Sequence, residues 1–290
     1  MSTFLQLNTI FISILIEAIP FVLIGVFVAG FIQIFVKEEL VAKLIPKNKF
    51  LAVLYGTLIG GLFPACECGI VPIVRRLMMK GVPLYIAIPF MLTGPVINPI
   101  VMFSTYIAFG NQWDIMIYRG CIALLVAFII GILISYLFNG NQMLQISSSS
   151  SCSQITNLSF MQKMVDMLRH AIEEFFSVGK YLIIGAFIAA AMQTFLKTST
   201  LLEMGQTEVT SSLVMMGLAY VLSLCSEADA FIASSFSGTF SIGALVAFLV
   251  YGPMVDIKNM LMMLSVFNKR FVFILIMLIT ILVLLGSLMI

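Results

Sequence analysis

The sequence predicts an all-α, polytopic membrane protein built as two inverted repeats, and three observations predict it. Charged residues make up only 10% of the chain and hydrophobic residues 61%, whereas a soluble domain carries about 25% charged residues. Several apolar stretches approach or exceed the roughly 18 residues that mark a membrane-spanning helix. Short segments of the first half also recur, in order, in the second. Each repeat is expected to hold three transmembrane helices plus one re-entrant or broken-helix hairpin, about eight transmembrane segments by the usual counting.

The clearest apolar stretches are residues 10–36, 115–138, 181–196 and 271–290, interrupted by charge only at Glu17 and Arg119. The first is too long for a signal-peptide core, lacks a basic lead and contains Glu17 and Pro20, so no cleavable leader is expected. Residues 139–159 turn polar around the run Ser147–Ser151 and read as a flexible linker. Met161, Met164, Leu168, Ile172 and Phe175 then fall at helical spacing opposite Lys163, Asp166, Arg169 and Glu173, the pattern of an amphipathic helix lying in the membrane surface. The expected organisation is therefore a first membrane repeat over 1–138, a linker with an amphipathic helix over 139–177, and a second repeat over 178–290.

The repeat rests on three matches. Leu23-Ile24-Gly25-Val26-Phe27 aligns with Ile183-Ile184-Gly185-Ala186-Phe187, and Gln33 with Gln193. Gly94-Pro95-Val96-Ile97-Asn98 aligns with Gly252-Pro253-Met254-Val255-Asp256, and Pro64-Ala65-Cys66-Glu67-Cys68-Gly69 stands where the second half has Ser223-Leu224-Cys225-Ser226-Glu227-Ala228. If residues 50–80 and 212–237 each enter and leave the membrane on one side, every lysine and arginine except Arg119 and Lys197 falls on one face. Basic residues concentrate on the cytoplasmic side, so this topology is preferred over four full spans per half. Three spans per half is an odd number, which makes the repeats inverted. Gly60-Gly61, Pro64 and Pro72 break the first hairpin, and Thr93-Gly94-Pro95 with Asn98-Pro99 breaks the following span. Broken backbone at membrane depth is tolerated where protein or a watery cavity surrounds it.

Cys66-Glu67-Cys68 is the sharpest chemical signal. Two thiols one residue apart converge on one soft ion if the backbone between them is extended, and Cys225 occupies the equivalent tip, so Cys66, Cys68 and Cys225 are the candidate metal ligands. The alternative is that they are small apolar fillers, the reading given to Cys121 and Cys152. Glu67, Glu227, Asp229 and Asp256 are acids at membrane depth, each costing at least ~2.5 kcal/mol unless paired or wet. With Thr93, Asn98 and Ser226 at the breaks, they complete the candidate substrate-binding set. Arg75, Arg76 and Lys80 read as cytoplasmic anchors. One histidine, His170, excludes a multi-histidine metal site, and no nucleotide-binding or hydrolase motif is present. No cofactor, no nucleic-acid partner and no enzymatic activity are expected.

Pro64-Ala65-Cys66-Glu67-Cys68-Gly69, Leu92-Thr93-Gly94-Pro95-Val96-Ile97-Asn98-Pro99 and Leu224-Cys225-Ser226-Glu227-Ala228-Asp229-Ala230-Phe231 resemble the family of bacterial permeases that includes the organoarsenical (methylarsenite) efflux permeases. The resemblance implies an integral protein of the bacterial cytoplasmic membrane with functional cysteines, exporting its substrate. Glu67 departs from the small polar residue expected between the cysteines of many relatives. The function expected is a secondary efflux permease for a metal, metalloid or small anion, in contact with the lipid bilayer and with room for a homo-oligomer or an accessory protein. The alternatives are a membrane thiol oxidoreductase using Cys66 and Cys68, or a membrane subunit serving a separate partner protein.

Overall fold

The computed structural model describes residues 2–36, 39, 41, 43, 45–138, 142–143, 160–195 and 207–290. These residues are helical almost throughout, confirming an all-α polytopic membrane protein. In chain order the helices are α1 (Ser2–Phe35), α2 (Lys49–Leu62), α3 (Glu67–Met79), α4 (Leu84–Ile97), α5 (Pro99–Ala108), α6 (Trp113–Leu137), α7 (Phe160–Phe195), α8 (Glu208–Leu222), α9 (Ser226–Ser235), α10 (Ile242–Met254), α11 (Ile257–Val266) and α12 (Lys269–Ser287). Six stretches are long and apolar enough to cross a membrane: α1, α4 with α5, α6, α7, α10 with α11, and α12. The serine run, Cys152 and Lys197 lie outside the described residues.

The breaks are written in cap chemistry. Asn98 accepts a hydrogen bond from the Ile100 backbone N–H at 3.0 Å and Pro99 opens α5, so the helix stops and restarts inside one span. Asp256 does the same for α11 through the Asn259 N–H at 2.5 Å. Ser223 closes α8 in a left-handed conformation with φ 50°.

Glycine contacts fix the direction of the first hairpin. Gly56 faces Ile86, Gly60 faces Phe90 and Thr93, and Gly61 faces Ile97. Residue numbers rise together on both sides, so α2 and α4 run parallel. The intervening α3 must return, and Gly94, late in α4, meets Ile70, early in α3. Arms of 14 and 13 residues reach only ~20 Å, short of the ~30 Å hydrocarbon core. In the second half, Gly252, late in α10, meets Ala219, late in α8, and Asp229, early in α9. α9 packs beside α5 and α3 beside α11, so the hairpins lie on opposite sides of the breaks with their tips together.

One expectation is corrected and two are filled in. The amphipathic stretch is not a separate surface helix ending at 177, because it runs without a break into the span as part of the 36-residue α7, where Met167 and Ala171 pack on Gly30. Arg75 and Arg76, read as cytoplasmic anchors, are also paired. They hold the buried Glu174 carboxylate at 2.8 and 2.6 Å, tying α3 to α7. Arg119, the charge that interrupts the apolar stretch 115–138, is fully buried.

The packing is not symmetric between halves. α1 lies on α3, with Gly25 against the Gly69 backbone, whereas α7 lies on α11, with Gly185 against Lys258. Close backbone approach at small residues is the usual basis of helix association in lipid, where no hydrophobic driving force acts between helices.

Candidate functional site

The two tips place a cysteine at the same structural position. Cys66 precedes the first turn of α3 and Cys225 that of α9, and neither side chain caps its own helix. The sulfurs are thereby left to face the space between the hairpins. Cys66, Cys68 and Cys225, all free thiols, line one small cavity together with Glu17, Glu67 and Lys258. The cavity has about 10 Å³ of free volume, room for roughly one water. Among the described residues no group of three or more His, Cys, Asp or Glu side chains is arranged to hold a metal ion. The sulfurs are gathered around a cavity without forming a ready-made metal centre.

Around the cavity runs a buried polar chain. Glu67 accepts a hydrogen bond from the Ser226 hydroxyl at 3.2 Å, which joins the two tips directly. Lys258 lies 3.9 Å from Glu67 and 3.5 Å from Asp256. Arg119 donates to the Thr105 hydroxyl at 2.7 Å and to the Ser226 carbonyl at 3.3 Å. Buried charges persist in an apolar interior only when paired or hydrogen-bonded, and apart from the Arg119–Thr105 bond each contact here involves a helix break or a hairpin tip.

The other predicted residues divide. Ser226 and Asp256 belong to this chain of contacts, and Asp229 sits one turn into α9, buried against Gly252. Glu227 is half-buried on the same helix. Asn98 is spent on capping α5. The Thr93 hydroxyl donates to the Thr57 and Pro89 carbonyls, both at 2.9 Å. It locks α4 onto α2, where Gly60 leaves room. The candidate set left out Glu17 and Arg119, whose signal was a lone charge within an apolar stretch. Lys258, two residues after Asp256, is the ion-pair partner the sequence offers that acid, and it lies 3.5 Å from it.

The profile described as "ArsP_1: Predicted permease" matches residues 3–290. The chain belongs to this predicted permease family. It is 66% identical over 289 residues to UPF0718 protein YcgR of Bacillus subtilis, covering 100% of this chain and 98% of that one. It is 46% identical over 271 residues to a Streptococcus mutans protein provisionally named a two-component membrane permease complex subunit, covering 93% of this chain and 90% of that one. UPF0718 protein MJ0584 of Methanocaldococcus jannaschii is 24% identical over 139 residues, 47% of this chain and 38% of its own. No solved structure matches. As a member of this family the chain is a multi-pass membrane protein of permease type.

Proposed function

We propose that this chain is a secondary efflux permease of a bacterial cytoplasmic membrane, carrying a metal, metalloid or small anion through the space between its hairpin tips. Residues 1–138 and 178–290 act as two inverted repeats, and movement of one against the other alternates access to the site. The observation that carries this reading is the meeting of Cys66, Cys68 and Cys225 in one cavity with Glu67 and Lys258, from segments more than a hundred residues apart. Thiolates suit soft ions, and a permease site belongs at the repeat interface. A cavity the size of one water must widen to admit cargo, so the geometry is that of a closed form. The test is uptake into proteoliposomes containing the purified chain alone, screened with trivalent arsenicals, Zn²⁺, Cd²⁺ and small oxyanions. Transport of one of these, lost in Cys66→Ser and Glu67→Gln proteins that still insert, supports the reading. No transport of any of them sinks it.

The name of the Streptococcus relative favours a second reading, in which the chain works only with a partner subunit. Transport that appears only when a co-purified partner is added would select it.

A further inference from the structure

The buried charges around the tips do not balance. Glu67, Asp229 and Asp256 are three buried acids, and Arg119 and Lys258 are the two buried bases among the described residues of this region. The excess negative charge is not spread evenly. Glu67 has Ser226 and Lys258, whereas the Oδ2 oxygen of Asp229 has no hydrogen-bond partner.

Three more buried oxygens of the second half share this condition: Ser223 Oγ, Asp256 Oδ2 and Asn259 Oδ1. Their segments converge on Gly252. Ala219, one turn before Ser223, lies 3.4 Å from where a Gly252 Cβ would stand, and Asp229 Oδ2 lies 2.9 Å from it. Asp256 caps the next helix four residues later and Asn259 lies in its first turn, where the side-chain amide donates to the Met254 carbonyl at 3.1 Å and leaves its oxygen unpartnered. Asp256 Oδ2 has the Lys258 ammonium 3.5 Å away without a hydrogen bond.

We infer that Ser223, Asp229, Asp256 and Asn259 form a binding site for one hard monovalent cation, with sodium as the ion that fits. Unpartnered buried oxygens are costly, and hard cations are held by oxygen ligands from carboxylates, amides and hydroxyls. A single proton would satisfy one or two of these atoms, whereas an ion shared among them satisfies all four. One positive charge also closes the imbalance. Two carboxylates, one already facing Lys258, are too few to hold a divalent ion in apolar surroundings. The site is distinct from the thiol cavity, which Ser223, Asp229 and Asn259 do not line. It deepens the permease reading by naming the ion that would drive it, since unwound backbone between half-helices is where transporters hold coupling ions.

The test is equilibrium binding of ²²Na⁺ to the purified full-length chain in detergent, at constant ionic strength set with choline. Wild type should bind the ion saturably. Asp229→Asn and Asp256→Asn should each weaken binding at least about tenfold, the effect of losing one good contact, and Ser223→Ala, which removes only a hydroxyl, should weaken it less while leaving the fold intact. Absence of saturable ²²Na⁺ binding overturns the proposal, as does binding unchanged in Asp229→Asn, and so does a stability that responds to pH but not to sodium. Because binding is read without any cargo, the site can fail while the permease reading stands, and the reverse.

Discussion

Gln193 donates its side-chain amide to the Leu222 carbonyl at the end of α8, while Gln33, its counterpart in the first half, leaves its buried Oε1 without a hydrogen-bond partner. Equivalent residues of the two halves are therefore in different states, as are Gly25, packed on α3, and Gly185, packed on α11.

If the halves exchange these states, Gln33 will dock on the carbonyl of Leu62, which ends α2 as Leu222 ends α8. Cysteines placed at Gln33 and Leu62 should then crosslink in membranes, as should cysteines at Gln193 and Leu222. Locking the second pair should suppress the first. A Gln33–Leu62 pair that never crosslinks would rule out exchange.

Glu174 is held by both Arg75 and Arg76 in a buried pairing. Removing one side leaves uncompensated charge, so Glu174→Gln should cost about 3–5 kcal/mol, measured as unfolding in denaturant. The triple change Arg75→Gln, Arg76→Gln and Glu174→Gln should recover part of that loss. A neutral Glu174→Gln would show that water already compensates the guanidinium groups.

The packing of α3 beside α11 and of α9 beside α5 predicts that the hairpins open in opposite directions. Lys80 stands at the open end of the first and Ser237 at that of the second. In a cysteine-free background, Lys80→Cys should be labelled from the cytoplasm and Ser237→Cys from outside. Labelling of both from one side would remove the inverted arrangement.

Two glycines should behave oppositely. A Cβ at Gly25 would run into the Gly69 backbone, whereas one at Gly217 meets nothing within 4 Å. Gly25→Ala should abolish stable protein in membranes. Gly217→Ala should be neutral or stabilising by up to about 1 kcal/mol, the helix-propensity difference. Thermal unfolding of the two proteins would distinguish them, and equal effects would mean that the α1–α3 contact is not tight.

Much of this arrangement was legible in the sequence because its signals are local. Gly60-Gly61 and Pro64 announce the first tip, Asn98-Pro99 announces a restart, and the recurrence of Cys66 as Cys225 announces equivalent tips. What stayed hidden depends on partners far along the chain. Glu174 looks like one of two adjacent acids on an amphipathic face, and only the arrival of Arg75 and Arg76 explains its burial. Thr93 looked like a ligand beside a break, yet its hydroxyl is consumed by carbonyls because Gly60 lets α2 approach. Arg119 gave no hint of its role, because Ser226, whose carbonyl it holds, is 107 residues away.

That last contact bears on how the protein is made. Synthesis proceeds from the N-terminus, so Glu67 and Arg119 enter the bilayer before Ser226 and Lys258 have left the ribosome. For that interval the first half carries Glu67 at depth without Ser226 and Lys258, and Arg119 with Thr105 as partner but not the Ser226 carbonyl. The nascent half is an unfinished solvent for its own charges, and its maturation waits on the second half.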